Sequence, residues 1–322
     1  MNNLPITISQ ISKNKSNDSI ELEYEFFQNF PSPHTRKSYR TDIITFFNFF
    51  RNQLQFTTVI ECRRSHIVAY RNWLAENDYA AKSINRKLSS LSTYFNFLGE
   101  KELMQVNPCL GVKRPRQVVN TETNDLSDEE VCKVLELALN KGSYLHSAIL
   151  YLFFATGIRK SELIELRLKD YQDINGDMTI KITAKGGKTL IKFLMPECVE
   201  IINDYISYMH SIDRIIHPND WLFQPSKNPS SKDNYVTKPL RPKSVDYIFS
   251  KYCKLAGICK RVSPHSARAT YIGSAMENGA DLIKISKDVG HSSVKTTEQY
   301  NKRKTRLADS PAKYLGFLKK SA

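Results

Sequence analysis

Residues 265–300 read HSARATYIGSAMENGADLIKISKDVGHSSVKTTEQY, and this stretch sets the terms for the rest of the chain. His265 and Arg268 stand one helical turn apart. His291 follows in a Gly-His-Ser-Ser turn, and Tyr300 comes nine positions after it. Two imidazoles, a permanent cation and a phenol form a set suited to attacking a phosphodiester without a metal. A phenol with an ordinary pKa of about 10 needs a base or strongly positive surroundings to attack at neutral pH.

The chain of 322 residues has room for two ordinary domains. With 41% hydrophobic and 25% charged residues it reads as a soluble globular protein. Its formal charge of +14 favours a polyanionic partner, nucleic acid ahead of a membrane surface. Six scattered cysteines with no CxxC pair argue against a metal site or a disulfide framework and are expected as reduced core thiols. The first twenty residues lack a signal-peptide layout, and the longest apolar run, Ala148 to Ala155, is far short of a bilayer span. The expected location is the cytoplasm, on the nucleoid when bound to DNA, with no membrane partner.

Residues 1–20 are expected to form a loose arm and 21–112 an all-helical unit. In the latter, Tyr39, Ile43, Phe46, Phe47 and Phe50 make one apolar stripe, and Ile84, Leu88, Leu91, Phe95 and Leu98 another. A helix over roughly Ser65 to Asn77 lies between them, and Gly99 is the expected cap of the third. Arg36 and Lys37 sit at a helix start, where cations oppose the dipole and an external anion would relieve them. Arg86 and Lys87 fall off the apolar stripe and are expected outside the core.

Residues 113–124, KRPRQVVNTETN, lack periodicity and read as a linker. Ser127 and Glu130 then form a capping box that opens a second domain over 125–322. It begins with helices and then changes period. Asn175-Gly176 signals a hairpin, a second turn runs Ala184-Lys-Gly-Gly-Lys188, and three short antiparallel strands follow from these turns. Helices dominate the remainder. The predicted fold class is therefore mainly α, with one small three-stranded antiparallel sheet.

The start of this domain holds TGIRKSELIEL, residues 156–166. Its glycine breaks an apolar helix so that Arg159 emerges from a buried turn, presenting a planar fork suited to two phosphate oxygens. Glu162, one turn on, reads as a partner of Arg159 rather than an acid catalyst. TGIRKSELIEL, then AKGGKTLIKFLMP at 184–196, then the 265–300 stretch resemble, in order and spacing, the signature boxes of the tyrosine recombinases, the phage integrase family. HTRKSYRTDIITFFNFF at 34–50 and SINRKLSSLSTYFNFLGEKELMQVNPCLGVKRPR at 83–116 resemble that family's core-binding domain. The short N-terminal stretch before this unit resembles the simple two-domain Xer-type and Cre-type members.

The resemblance implies a site-specific recombinase that cleaves and rejoins DNA through a 3′-phosphotyrosine and a Holliday junction. Arg159 and Arg268 match the arginines that hold the scissile phosphate, and Tyr300 matches the nucleophile. Lys185 matches the lysine that protonates the 5′ leaving oxygen, with Lys188 a minor rival. His265 and His291 match the histidines that assist proton transfer, and Glu162 matches the supporting acidic position. The residues depart from the family pattern at Ala267 and Ala269, where the packing around Arg268 is expected to differ. The implied partner is duplex DNA with inverted-repeat core sites, clamped by two domains, with a tetramer assembled on it and accessory DNA-bending proteins. Arg36, Lys37, Arg86, Lys87, Lys113, Arg114, Arg116, Arg241 and Lys243 are the candidate DNA contacts, chiefly to phosphates. The tail 301–322 opens with a basic run and carries Leu315, Phe317 and Leu318 after Pro311, a candidate for docking on a neighbouring subunit.

No cofactor is expected. No carboxylate cluster for two metal ions stands out, and a phosphotyrosine conserves the energy of the broken ester, so rejoining needs no ATP. Two other readings remain open on the residues alone: a type IB topoisomerase-like relaxing enzyme, and a DNA-binding regulator without catalysis.

Overall fold

The computed structural model describes residues 22, 24–55, 59–116, 124–184, 187–212, 217–225, 238–291, 293–298 and 300. The arm over 1–20, Lys185, most of the linker and the tail after Tyr300 lie outside them. The chain divides into two compact units, 1–120 and 121–322.

The described residues of the first unit include a helical stretch at 24–28 and the longer helices α1 (Pro33–Leu54), α2 (Arg64–Glu76) and α3 (Ala81–Glu100). Ser32 caps α1, accepting from the Thr35 amide, and Pro33 takes the first helical position, where its missing N–H costs nothing. Both predicted stripes are buried except for half-buried Tyr39, and their aromatic rings interlock. Phe46 stacks on Phe50 at 5.4 Å and meets Tyr70 edge-on at 5.1 Å. Gly99 does not end α3. The helix continues to Glu100, and the left-handed position falls on Glu102 (φ 56°), where the Glu102 amide bonds Gly99 O and the Leu103 amide bonds Leu98 O. This is a Schellman ending with a non-glycine residue in the position glycine usually takes.

Lys87 is a second correction. It is 3% exposed, and its ammonium reaches Asp42 Oδ1 and Thr45 Oγ1, each at 3.2 Å. Asp42 is itself fully buried and also accepts from Arg86 and from Ser90. An acid inside the helical unit thus draws in a lysine that the α3 periodicity places outside. The opening of the expected linker is also anchored. Arg114 donates to Ser89 Oγ at 2.6 Å, Asn85 donates to Pro115 O at 3.0 Å, and Arg71 donates to Lys113 O at 2.9 Å.

In the second unit Ser127 and Glu130 exchange the two bonds of a capping box at the start of α4 (Asp128–Lys141). The apolar α5 (Tyr144–Thr156) is the central helix, with Ala148, Ile149, Leu150, Leu152 and Phe153 at zero exposure. After the short α6 (Lys160–Glu165) come β1 (Tyr171–Ile174), β2 (Asp177–Thr183) and β3 (Thr189–Phe193), antiparallel in the order β1-β2-β3. Asn175 and Gly176 both have positive φ, 57° and 91°, as the primed turn between β1 and β2 requires. The helices α7 (Pro196–Ser211), α8 (Pro242–Leu255), α9 (Pro264–Glu277), α10 (Leu282–Asp288) and α11 (Val294–Glu298) complete the described fold.

The cysteines are all free, but not all in the core. Cys62, Cys198 and Cys253 are buried, Cys109 is intermediate, and Cys132 and Cys259 are exposed. Among the described residues no helix is long and apolar enough to cross a membrane.

Candidate active site

Three junctions of the second unit converge on one cluster. The first is the turn between α5 and α6. Gly157 leaves α5 in the left-handed conformation (φ 59°), and a Cβ there would lie 2.8 Å from a Tyr271 ring carbon, so only glycine fits. The chain then turns out at Arg159, which caps α6. Glu162 Oε2 accepts from the Arg159 amide at 2.9 Å, and Oε1 accepts from its guanidinium at 2.6 Å. The acid is therefore a clamp on Arg159, as the one-turn spacing suggested. The other arm of the guanidinium donates to Gly290 O at 3.2 Å.

The second junction is the start of α9. Ala267 and Ala269 are buried on either side of Arg268, which is 1% exposed. Its guanidinium donates to Gly157 O at 2.8 Å and to Val289 O, while the buried Nε has no partner among the described residues. Burial, and then the charge of Arg159, pull Arg268 down to about 10, which still leaves it fully charged at neutral pH. His265, one turn earlier, is exposed.

The third junction follows α10. His291 is held by a 2.8 Å contact between Nδ1 and Thr297 Oγ1. Burial lowers it most, helped by Arg268, Arg159, His265 and Lys192, and its pKa falls to about 4, so the ring is neutral at pH 7. Tyr300 packs on a small core of Ile272, Met276, Ile285 and Val289. Its ring stacks on His291 with centroids 5.9 Å apart and planes 16° from parallel, and its hydroxyl meets His265 Nε2 at 3.1 Å. Burial raises the Tyr300 pKa, while Arg268 and Arg159 pull it back down.

Five of the six predicted catalytic residues thus meet in one place. Lys185, the sixth, lies outside the described residues. Its turn is closed by Ala184 N to Lys188 O at 2.7 Å, at the end of the β2–β3 hairpin. Sequence reasoning missed Thr297, Lys192, Asp288 and Tyr271. For Lys192 a signal was present, because it falls in the inward phase of β3 between Leu190 and Leu194.

The candidate DNA contacts are unevenly placed. Lys37, Lys113, Arg114, Arg116, Arg241 and Lys243 are exposed, the last two flanking the start of α8. Arg36 is turned back to Gln28 Oε1 (2.6 Å) and Pro31 O (3.2 Å). Arg86 is half exposed while bonded to Asp42, and Lys87 is buried.

A phenol beside two guanidinium groups and two imidazoles is an arrangement suited to phosphoryl transfer. Residues 124–306 match the phage integrase family, and residues 23–102 match the phage integrase N-terminal SAM-like domain. The chain belongs to the phage integrase family. Among curated relatives, the tyrosine recombinase XerD of Oceanobacillus iheyensis is 28% identical over 88% of this chain and 92% of its own length. The tyrosine recombinase XerC of Halalkalibacterium halodurans is 29% identical over 86% and 90%. The fold is shared with a lambda integrase tetramer bound to a Holliday junction (TM-score 0.69, 16% identity, 93% of this chain and 81% of that one). It is shared also with XerH recombinase bound to its palindromic difH substrate after cleavage (TM-score 0.68, 17% identity, 92% and 87%).

Proposed function

We propose that the chain is a site-specific DNA recombinase in which Tyr300 is the nucleophile. The observation that carries this reading is the 3.1 Å contact of the Tyr300 hydroxyl with His265 Nε2, beside two arginines that favour the phenolate. In the resting site the phenol keeps its proton. On attack, His265 Nε2 takes that proton as the phenol oxygen bonds to phosphorus. Arg159 and Arg268 neutralise the charge that builds on the non-bridging oxygens, and neutral His291 adds a hydrogen bond to them. Lys185 gives a proton to the departing 5′ oxygen, which is otherwise a poor leaving group. The products are a 3′-phosphotyrosine and a free 5′-hydroxyl. A 5′-hydroxyl from the partner duplex then attacks the phosphotyrosine and releases Tyr300, forming a Holliday junction that a second pair of exchanges resolves.

The partner is duplex DNA with inverted-repeat core sites, met through Lys37, Lys113, Arg114, Arg116, Arg241 and Lys243 and the exposed part of Arg86. A tetramer forms on DNA, with the tail 301–322 docking between subunits, and DNA-bending proteins assist. The reaction takes place in the cytoplasm. Relatives that align along most of this chain are named recombinases, which favours strand exchange over simple relaxation.

The test is a nicked suicide duplex carrying the core site, which on cleavage loses the short fragment that bears the free 5′-hydroxyl. Wild type should accumulate a covalent protein–DNA species, and Tyr300→Phe should bind the same duplex without forming it. A normal adduct yield from Tyr300→Phe would sink the assignment.

A further inference from the structure

Lys192, Arg268 and Arg159 make three successive cross-links between the same two segments. Lys192 Nζ donates to Thr156 O at 2.7 Å and to Asp288 Oδ2 at 2.5 Å. Arg268 donates to Gly157 O and to Val289 O. Arg159, tied to Glu162, donates to Gly290 O. Along one segment the links meet residues 156, 157 and 159; along the other they meet 288, 289 and 290, and His291 comes next.

The first link is built at some cost. The Lys192 side chain is 3% exposed on the core face of β3, opposite Ile180, where an apolar residue would fill the space without losing any hydration. A buried ammonium is stable there only with its counterion, so the Asp288 carboxylate must be seated against it. Asp288 is held from a second side by the Tyr271 hydroxyl, which donates to Oδ2 at 2.9 Å. Lys192 also stands 5.1 Å from the centre of the Tyr271 ring, the ring against which Gly157 is pressed. Gly290 seats on the same strand, since a Cβ there would lie 2.7 Å from Leu190 Cδ1.

We propose that Lys192 and Asp288 are positioning residues for the reaction, an inference that rests on the recombinase reading. Their ion pair, a buried lysine against a half-buried aspartate, sets the depth at which the 288–291 turn seats against β3. It thereby fixes the Val289 and Gly290 carbonyls that aim Arg268 and Arg159 at the scissile phosphate. Neither residue touches the DNA; both act through the arginines.

The experiment measures single-turnover cleavage of the nicked duplex at saturating concentration by wild type, Asp288→Asn and the double variant Lys192→Met/Asp288→Leu. Each is assayed on the ordinary phosphate and on a methylphosphonate at the scissile position. The methyl group removes the negative oxygen that the arginines neutralise, so misaimed arginines should matter there much less. Asp288→Asn should cleave the phosphate roughly tenfold to a hundredfold more slowly, with its half-saturating DNA concentration unchanged. On the methylphosphonate it should match wild type within about threefold. The double variant leaves no unpaired charge, so it should fold as well as wild type and still show the phosphate-selective loss. Equal losses on both substrates in both variants, or full phosphate cleavage by the double variant, would overturn the proposal. Absence of any Tyr300 adduct in wild type is a different result, and strikes the recombinase reading itself.

Discussion

Three glycines of the second unit, two at the active site and one in the β1–β2 turn, share a left-handed backbone and differ in what a methyl group would meet, which makes Gly→Ala a graded test of the packing. Gly176 (φ 91°) has nothing within 4 Å of a new Cβ. There the left-handed strain of about 1–2 kcal/mol is partly offset by a stiffer unfolded chain, about 0.4–1 kcal/mol, leaving a net loss near 1 kcal/mol. At Gly290 (φ 64°) the neighbour is the end of Leu190, with one methyl at 2.7 Å and the next carbons at 3.7 and 3.8 Å. A rotamer shift relieves that overlap, adding about 0.5–1.5 kcal/mol. At Gly157 (φ 59°) the neighbours are three carbons of Tyr271, at 2.8, 3.0 and 3.2 Å. This ring cannot swing aside without giving up the hydroxyl bond to Asp288, so overpacking adds about 1–3 kcal/mol. The expected order of destabilisation is Gly157→Ala, then Gly290→Ala, then Gly176→Ala, spanning about 1 to 4 kcal/mol. The chain has two tryptophans, Trp73 in the first unit and Trp221 in the second. Urea unfolding followed by Trp221 fluorescence in a Trp73→Phe background reads the relevant unit. A Gly157→Ala midpoint no lower than that of Gly176→Ala would refute the reasoning.

The His291 ring refuses a proton that the unfolded chain accepts from pH 6.5 down to about 4, so folding stability should fall as pH drops through that window. Allowing for solvent screening of a partly exposed ring, the loss is on the order of 1–2 kcal/mol. His291→Gln should flatten the slope of stability against pH there, and an unchanged slope would contradict the assignment. In the first unit, Asp42→Ala strands the buried Lys87 ammonium and should cost about 3–5 kcal/mol in the Trp73 fluorescence transition. Lys87→Met/Asp42→Leu should recover most of it; a loss under 1 kcal/mol for Asp42→Ala would show the pair to be idle. For DNA affinity, Arg116→Ala should lower the slope of log K against log salt by about 0.9, whereas Lys87→Met should leave it unchanged.

What could be read from the sequence was whatever is local. Asn175-Gly176 names its own turn type, Ser127 and Glu130 cap each other across three residues, and the Phe46–Phe50 stripe faces one way because helical period demands it. The candidate catalytic residues could be named from the resemblance of their boxes to those of a known family, and five of the six come together in the structure. What stayed hidden depends on partners far along the chain. Lys87 looks like a surface lysine until Asp42 is folded against it, 45 residues away. Lys192 and Asp288, 96 residues apart, look like a hairpin lysine and a helix-end acid. Gly99 looks like a cap, but the chain turns at Glu102, where the two Schellman bonds close on Leu98 and Gly99 instead.

The central claim is that one phenol carries the DNA. Trapping on a suicide duplex, nuclease trimming and trypsin digestion should place the nucleotide mass on the peptide Thr296–Lys302, with the phosphodiester on Tyr300 and the DNA joined through its 3′ end. Attachment to any other residue, or through a 5′ phosphate, would contradict the account.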